Sequence, residues 1–334
     1  MQFNHILAFD VSKESFAVHL RSTKDTLWKG DVKNNFVEVK NLFTMIKKDF
    51  RLKFKECLVC LEATGLYGFH LLTFTSCNGI ATWVAHAQDI KQSLGMKRGK
   101  SDPVDAERIA EYAYRFQDKA VLWSPPRPII NELKALIGCR DRLVGNRVAL
   151  ENPLREMQDF SKKSIYLSIE KSCHKALEQI KKAIDDIEFR IMDLIKKDKD
   201  LYEMYKRLDS ILGVGPVTSV AFIVETNEFK DFPNAKKIAC HCGVAPFSYS
   251  SGKRKGKAHV SHKANKKLKT LLDLCARSAV LAKGEFRDYY LRKLEEGKSP
   301  MLVRNNIRNK IVLRMFAIVR DKSMYEKKFN TKVG

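Results

Sequence analysis

The chain has 334 residues, of which 44% are hydrophobic and 30% are charged. This composition excludes an intrinsically disordered protein and a small disulfide-bonded scaffold, and the length predicts more than one domain. With 62 Lys and Arg against 39 Asp and Glu, the net charge of +23 favours a polyanion such as nucleic acid as the partner.

No apolar run reaches the roughly 18 residues needed to cross a bilayer, and the first residues lack the pattern of a signal peptide. Eight cysteines are scattered along the chain. Cys57 and Cys60 lie three apart in a strand-like run, so we expect them on opposite faces of a sheet rather than in a zinc site. These features predict a soluble cytoplasmic protein with reduced thiols and no membrane partner.

Residues 1–123 alternate between strand and helix patterns. Strands are predicted at 5–10, 16–20, 26–32, 57–61 and 80–84, and helices at 36–50, 67–76 and from residue 103. The resulting order, βββαβαβα, is that of the RNase H-like nuclease fold. We therefore predict a mixed α/β domain of RNase H/RuvC-like type.

Residues 124–207 form a helical region that begins after a rigid joint, Pro125-Pro126-Arg127-Pro128. Apolar residues repeat there at offsets of three and four, as in a heptad seam: Leu177, Ile180, Ile184, Ile187, Ile191 and Leu194. Such a seam predicts either a coiled coil between copies of the chain or an amphipathic helix that faces its own core. The first alternative predicts a homo-oligomer.

Residues 208–334 are predicted to form a mainly α-helical domain. It opens with a turn, residues 211–216, in which Gly213 and Gly215 precede a helix. A hairpin of this kind between two helices can present backbone N–H groups to a phosphate.

Basic residues are concentrated in two segments. The run from 253 to 269 has eight Lys or Arg and no acid, and residues 95–100 form a glycine-broken basic loop. Runs without compensating acids favour contacts with a nucleic-acid backbone. The predicted contacts are Lys97, Arg98, Lys100, Lys253, Arg254, Lys255, Lys257, Lys263, Lys266 and Lys267.

Four carboxylates occupy positions where they can converge. Asp10 ends the first strand and Glu62 the fourth, which are neighbours in a sheet of this order. Asp102 and Asp105 lie three apart at the start of a helix, on one face. Hard cations such as Mg²⁺ prefer oxygen ligands of this kind. Each acid also has an ordinary interpretation, as a turn former, a surface charge or a helix cap.

Six segments carry a resemblance to a known family. In the first half they are Phe9-Asp10-Val11-Ser12-Lys13, Leu61-Glu62-Ala63-Thr64-Gly65 and Lys100-Ser101-Asp102-Pro103-Val104-Asp105-Ala106. In the second half they are Gly213-Val214-Gly215-Pro216, Cys242-Gly243-Val244-Ala245-Pro246 and Tyr249-Ser250-Ser251-Gly252-Lys253. In this order they resemble the blocks of DEDD-type insertion-sequence transposases, the Piv/MooV-like recombinases, across nearly the whole chain.

The resemblance implies a site and a reaction. Asp10, Glu62, Asp102 and Asp105 would hold Mg²⁺ or Mn²⁺, and Ser251, directly before Gly252, would be the nucleophile that forms a phosphoserine link to DNA. Ser-Ser-Gly is an ordinary loop sequence by itself, and Ser250 is the rival position. The chain departs from many relatives in having Phe247-Ser248 where an Arg is common after the proline.

The resemblance also implies partners. These are donor and target DNA, a structured non-coding guide RNA, and further copies of the chain in a dimer or tetramer, all in a prokaryotic cytosol at the nucleoid. Two other functions stay open from the residues alone. A RuvC-like junction resolvase would need the acids but not Ser251, and a non-catalytic nucleic-acid binder would need neither.

Overall fold

A computed structural model describes residues 3–63, 65–93, 102–247, 250–251, 254–256, 259–261 and 264–326, with the backbone alone at 102, 103, 250, 251, 254, 255 and 259. The chain forms two compact units, Met1–Pro125 and Pro126–Gly334. The division into three domains at 1–123, 124–207 and 208–334 stays a prediction.

The described part of the first unit has five strands and four α-helices. They are β1 (His5–Val11), β2 (Ser15–Ser22), β3 (Thr26–Lys33), α1 (Phe36–Asp49), β4 (Cys57–Glu62), α2 (Phe69–Cys77), β5 (Thr82–Ala85), α3 (Ala87–Ser93) and α4 (Asp102–Phe116). The predicted order is confirmed, with α3 added. That helix has only seven residues and one buried side chain, Ile90, so it left no periodic signal in the sequence.

The strands form one sheet in the order β3-β2-β1-β4-β5. The first three strands are antiparallel, whereas β4 and β5 run parallel to β1. This arrangement is the one predicted for an RNase H-like sheet. It places the carboxyl ends of β1 and β4 side by side.

Each face of the sheet has its own core because successive side chains of a strand point to opposite faces. On one face Leu7, Phe9 and Cys57 pack with α1 and α2, and on the other Ala8 and Cys60 pack with α4. The central strands are therefore continuous apolar runs, as is typical of strands covered on both faces. The prediction that Cys57 and Cys60 face opposite ways is confirmed.

The described part of the second unit is mainly helical. Its elements are α5 (Pro128–Phe160), α6 (Lys163–Lys197), α7 (Lys199–Asp209), α8 (Pro216–Glu225), α9 (Ala235–His241), β6 (Pro246–Phe247), β7 (Ser250–Ser251), β8 (Arg254–Lys255), β9 (His259–Val260), α10 (Lys266–Leu281), α11 (Glu285–Glu295) and α12 (Pro300–Arg320). One hydrophobic core runs through it, from Ile130 on α5 to Ile318 on α12.

Helices α5 and α6 form a long antiparallel hairpin. Arg140 on α5 pairs with Glu188 on α6 (Nε–Oε1, 2.6 Å), and Lys181 on α6 lies near Glu151 on α5 (Nζ–Oε1, 3.6 Å). The helix carrying the predicted heptad seam thus packs along another helix of its own chain. Of the seam residues, Ile184 and Ile191 are buried and Ile187 and Leu194 pack against the core.

No helix in the described ranges is both long and apolar enough to span a membrane.

Candidate functional site

Asp10 and Glu62 occupy equivalent positions on neighbouring parallel strands. Phe9 of β1 pairs with Leu61 of β4, so the residue that follows each lies one step further along the same edge. Phe9 and Leu61 point into the core beneath α1 and α2, and the pleat therefore directs Asp10 and Glu62 to the face covered by α4. Both carboxylates are partly buried. The predicted convergence of these two acids at one sheet edge is what the register gives.

Helix α4 runs antiparallel to β1 across that face. Near the amino end of β1, the Phe3 N–H donates to Gln117 Oε1 at 2.6 Å, just beyond the carboxyl end of the helix. Six residues earlier, Glu111 forms an ion pair with Arg21, which lies opposite Ile6 in the sheet. The helix and strand thus advance in opposite directions.

This register places the first turn of α4 level with Asp10. Glu107 pairs with Lys29 (Oε2–Nζ, 2.8 Å), at the level of Ala8 in β1. Two strand residues advance about 6.6 Å and four helical residues about 6 Å. Going from Ala8 to Asp10 therefore corresponds to going from Glu107 to about position 103. Positions 102 and 105 then bracket the level of the two strand-end acids.

Asp105 is partly buried and bound within its own helix. Its Oδ1 lies 2.7 Å from Arg108 Nη1, an (i, i+3) ion pair. The backbone places Asp102 as the first residue of α4, one position earlier than the predicted start. Among the described side chains, no three His, Cys, Asp or Glu residues lie close enough together to hold a metal ion, and the Asp102 side chain is outside that set.

Asn34, which no sequence pattern predicted as a site residue, joins the loops that follow the two strand-end acids. Its Nδ2 donates to the Ser12 carbonyl at 2.8 Å and to the Tyr67 carbonyl at 2.9 Å. Its backbone N–H donates to the Glu14 carbonyl at 2.8 Å. Asn34 and Tyr67 are 33 positions apart, so no local pattern indicates this link.

Ser251 lies in the inner of two nested antiparallel ladders. The outer ladder pairs Pro246 with Val260 and Phe247 with His259. The inner ladder pairs Ser250 with Lys255 and Ser251 with Arg254, so Ser251 is the last residue of β7.

The root of these ladders is held at several points. Gly243 has φ +63°, and a Cβ there would lie 2.4 Å from the Cβ of Ala264, so the close approach requires glycine. The Asn265 N–H donates to the His241 carbonyl at 2.8 Å, and its Nδ2 donates to Glu225 Oε1 at 2.6 Å. These contacts therefore hold both ends of the segment that carries Ser251.

Glu225 is the charged group at this root. Its Oε1 lies 3.5 Å from His241 Nε2. The neighbouring imidazole, followed by Lys134 and the Asn265 amide, holds the pKa of Glu225 below its ordinary value despite burial. The carboxylate therefore stays ionised near neutral pH.

The predicted basic contacts fall into three groups. Lys97, Arg98, Lys100, Lys253, Lys257 and Lys263 lie outside the described residues. Arg254 and Lys255 form β8, opposite the two serines. Lys266 and Lys267 begin α10 and are exposed, but Lys267 Nζ pairs with Asp141 Oδ2 at 2.5 Å.

The two glycines predicted to face phosphate have different surroundings. Gly213 has φ +87°, and a Cβ there would lie 2.5 Å from the Cys275 carbonyl oxygen on α10. Gly215 precedes α8, and a Cβ there would meet no atom of the described residues within 4 Å. Packing against α10 thus explains Gly213, whereas the surface at Gly215 is open.

Comparison with protein families identifies the chain. Residues 205–291 match the family described as Transposase IS116/IS110/IS902, and residues 7–160 match the DEDD transposase domain of IS110 elements. The chain belongs to this family of transposases. The two matched ranges contain all four predicted acids and Ser251.

Several proteins are similar to this transposase. One is the insertion element IS116 uncharacterized 44.8 kDa protein of Streptomyces clavuligerus, 24% identical over 74% of this chain and 80% of the relative. Another is the transposase for insertion sequence element IS1111A of Coxiella burnetii, 25% identical over 64% of this chain and 63% of the relative. Among solved structures, Thermus thermophilus RuvC in complex with a Holliday junction substrate aligns with 36% of this chain at 13% identity and a TM-score of 0.29.

Proposed function

We propose that this transposase cleaves and rejoins DNA strands with two sets of groups, the acids Asp10, Glu62, Asp102 and Asp105 and the hydroxyl of Ser251. The observation that carries the proposal is the register of β1, β4 and α4. It brings two strand ends and the first turn of a helix to one level of the sheet, in a chain of the transposase family.

The four acids would hold Mg²⁺ or Mn²⁺. Carboxylate oxygens are the ligands that these hard cations prefer, and the first turn of α4 contributes two of the four. When bound, the cation would neutralise the negative charge of the scissile phosphate. Arg108, paired with Asp105, would help to orient that carboxylate.

Ser251 would act as the nucleophile. Its Oγ attacks the phosphorus as a new O–P bond forms and the bond to one DNA oxygen breaks. The serine proton is lost to a base, and the departing DNA hydroxyl gains a proton. A hydroxyl from a second DNA end then attacks the phosphoserine, which restores the serine and joins the strands. The anchored root of the ladders would limit the positions that the nucleophile can take.

The partners follow from charge and from the family. The net charge of +23 would neutralise phosphates of donor and target DNA and of a structured guide RNA. Base pairing by that RNA would read the sequence, while the protein contacts the backbones. A dimer or tetramer would bring together the several DNA ends that strand exchange requires.

Trapping of the covalent intermediate tests the proposal. The full-length protein is incubated with its co-expressed RNA and with DNA nicked near the crossover, and a detergent-resistant protein–DNA adduct is expected. Ser251→Ala should remove the adduct while DNA and RNA binding persist, because loss of a hydroxyl leaves the charge unchanged. Ser250→Ala is the matched control and should retain the adduct.

Other outcomes reject parts of this scheme. If the adduct survives Ser251→Ala but not Ser250→Ala, the nucleophile is Ser250. If cleavage proceeds without any adduct and tolerates both substitutions, water is the nucleophile, as in a junction resolvase.

A further inference from the structure

An exposed apolar patch lies directly after the strand that ends in Glu62. It comprises Leu66, Tyr67 and Phe69, with exposed fractions of 89%, 47% and 65%. Side chains of this size are ordinarily covered, and a group of them at the surface marks a binding site more often than an isolated one does. We call Tyr67 and Phe69, with Leu66, the aromatic patch.

The backbone of the patch is fixed to β4. Residues Gly65–Gly68 form a 3-10 turn. A Cβ at Gly68 would lie 3.3 Å from Leu61 Cδ1, so the turn packs closely on the residue that precedes Glu62. The patch therefore has a set position relative to that carboxylate.

The patch is also fixed to the loop after Asp10. Asn34 donates from one amide group to both Ser12 and Tyr67, and Ser12 is two residues beyond Asp10. Two residues after Asn34, the exposed ring of Phe36 lies against Phe74 at a centroid distance of 6.1 Å. The aromatic patch thus lies beside the ends of both strands that carry the proposed acids.

Exposed lysines outnumber acids in the segments next to the patch. In segments 12–15 and 33–40, Lys13, Lys33 and Lys40 are exposed, against the exposed Glu14 and the half-buried Glu38. Protein–protein interfaces are enriched in aromatic residues but depleted of lysine. Aromatic faces next to cations are instead the combination that binds single-stranded nucleic acid, with bases stacked on the rings and phosphates near the charges.

We propose that Tyr67 and Phe69 stack unpaired nucleobases that flank the scissile phosphodiester. The inference rests on the proposed function for the identity of that phosphodiester. Strand separation at the crossover would supply the unpaired bases, and stacking would hold the phosphodiester near Asp10 and Glu62. Because every base has an aromatic face, this contact would tolerate any sequence.

Binding measured without cleavage tests the proposal. The full-length protein is titrated in EDTA into three fluorescent DNA duplexes. One is fully paired, one has a short internal stretch of unpaired thymidines, and one has abasic sites in place of those thymidines. Tyr67→Leu and Phe69→Leu preserve apolar area but remove the aromatic faces. Phe160→Leu, at a ring that is 90% exposed in the other unit, is the matched control.

We expect wild type and Phe160→Leu to prefer the thymidine probe over the abasic one. Each patch variant should bind the thymidine probe about 5- to 150-fold more weakly, the range that corresponds to loss of one stacked base. Binding to the paired and abasic probes should not change.

Three results would overturn the proposal. They are unchanged binding of the thymidine probe by both leucine variants, equal loss on all three probes, and a change in oligomeric state with binding intact. The last result would make the patch a protein contact. Failure of the serine scheme gives a different pattern, since it changes the adduct but leaves this preference for unpaired bases.

Discussion

Asp10 and Glu62 each lie one residue beyond the paired Phe9 and Leu61 on neighbouring parallel strands. Each should be indispensable to the proposed chemistry. Replacing either by Ala should lower DNA cleavage by about a thousandfold or more, because charge stabilisation of several kcal/mol is lost. Circular dichroism and unfolding should show an intact fold, since both side chains lie at a strand end.

Asp31→Ala, at an exposed acid on the edge strand β3, is the control for removal of an acid and should keep full activity. Full cleavage by Asp10→Ala or Glu62→Ala, or by wild type in EDTA, would contradict the metal-site proposal.

Gly213 and Gly215 offer a matched test of packing against phosphate contact. Gly213→Ala should lower the free energy of unfolding by about 2–5 kcal/mol, because it places a methyl group against the α10 backbone at a positive φ. Gly215→Ala should cost less than about 1 kcal/mol, since the space there is open. Urea denaturation measures both. DNA binding of the two variants tests the phosphate contact. If Gly215→Ala weakens DNA binding and Gly213→Ala does not, only Gly215 lies close to a phosphate.

At the scale of elements, the α5–α6 hairpin favours the interpretation of the heptad pattern as a helix that faces its own core. Ile191→Ala should cost about 2–5 kcal/mol, because Ile191 is buried. Phe189→Ala, at a side chain that is 74% exposed, should change stability by less than about 0.5 kcal/mol. If the seam joined two copies instead, the unfolding midpoint of wild type would rise with protein concentration.

The sequence predicted the elements of the sheet better than those of the site. The central strands are apolar runs bounded by turn residues, and Phe36 to Phe50 has clear helical spacing, so local physics suffices there. The start of β5 differs from the prediction for a local reason. Ile80 is buried after a turn at Gly79, but it precedes the residues that pair with β4, so β5 begins at Thr82 rather than at residue 80.

Site geometry depends on contacts between distant residues, which no local pattern carries. The pair Asp10 and Glu62 was predictable because strand ends are visible in the sequence. The bridging amide of Asn34 and the packing of Gly213 on α10 were not, because each depends on a partner more than 30 positions away. Ser-Ser-Gly has no chemical signature, so only the family resemblance singles out Ser251.

For the whole molecule, the charge of +23 predicts steep salt dependence of nucleic-acid binding. The logarithm of the binding constant should fall with the logarithm of salt concentration, by about 0.9 for each phosphate neutralised on a duplex. Lys266→Gln should reduce this slope by about one contact. Lys267→Gln should reduce it less, because Lys267 is already paired with Asp141. Binding unaffected by salt would contradict the backbone contacts.

The second unit should lose stability as the pH falls into the acid range. Burial alone would raise the pKa of Asp273 and of Glu285, but their pairs with Arg308 and Arg314 outweigh it and hold both below the ordinary 3.8 and 4.5. A depressed folded-state pKa stabilises above the unfolded value and loses that contribution as pH falls through the folded value. The urea midpoint should therefore be level between pH 7 and 5 and fall below about pH 4.

The double variant Asp273→Asn, Glu285→Gln is the comparison. It should be less stable at pH 7, and its midpoint should vary less between pH 5 and 3.

Because helices cover both faces of the sheet, the separation of each helical layer from it can be detected independently. Cys57 belongs to one core and Cys60 to the other, and burial raises the pKa of Cys57 to about 12. Neither thiol reacts until its own layer separates from the sheet. Cys77 is exposed and serves as an internal standard for the reagent. Alkylation followed by peptide mass spectrometry would therefore time the release of α1 and α2 separately from that of α4, with reporters that the chain already contains.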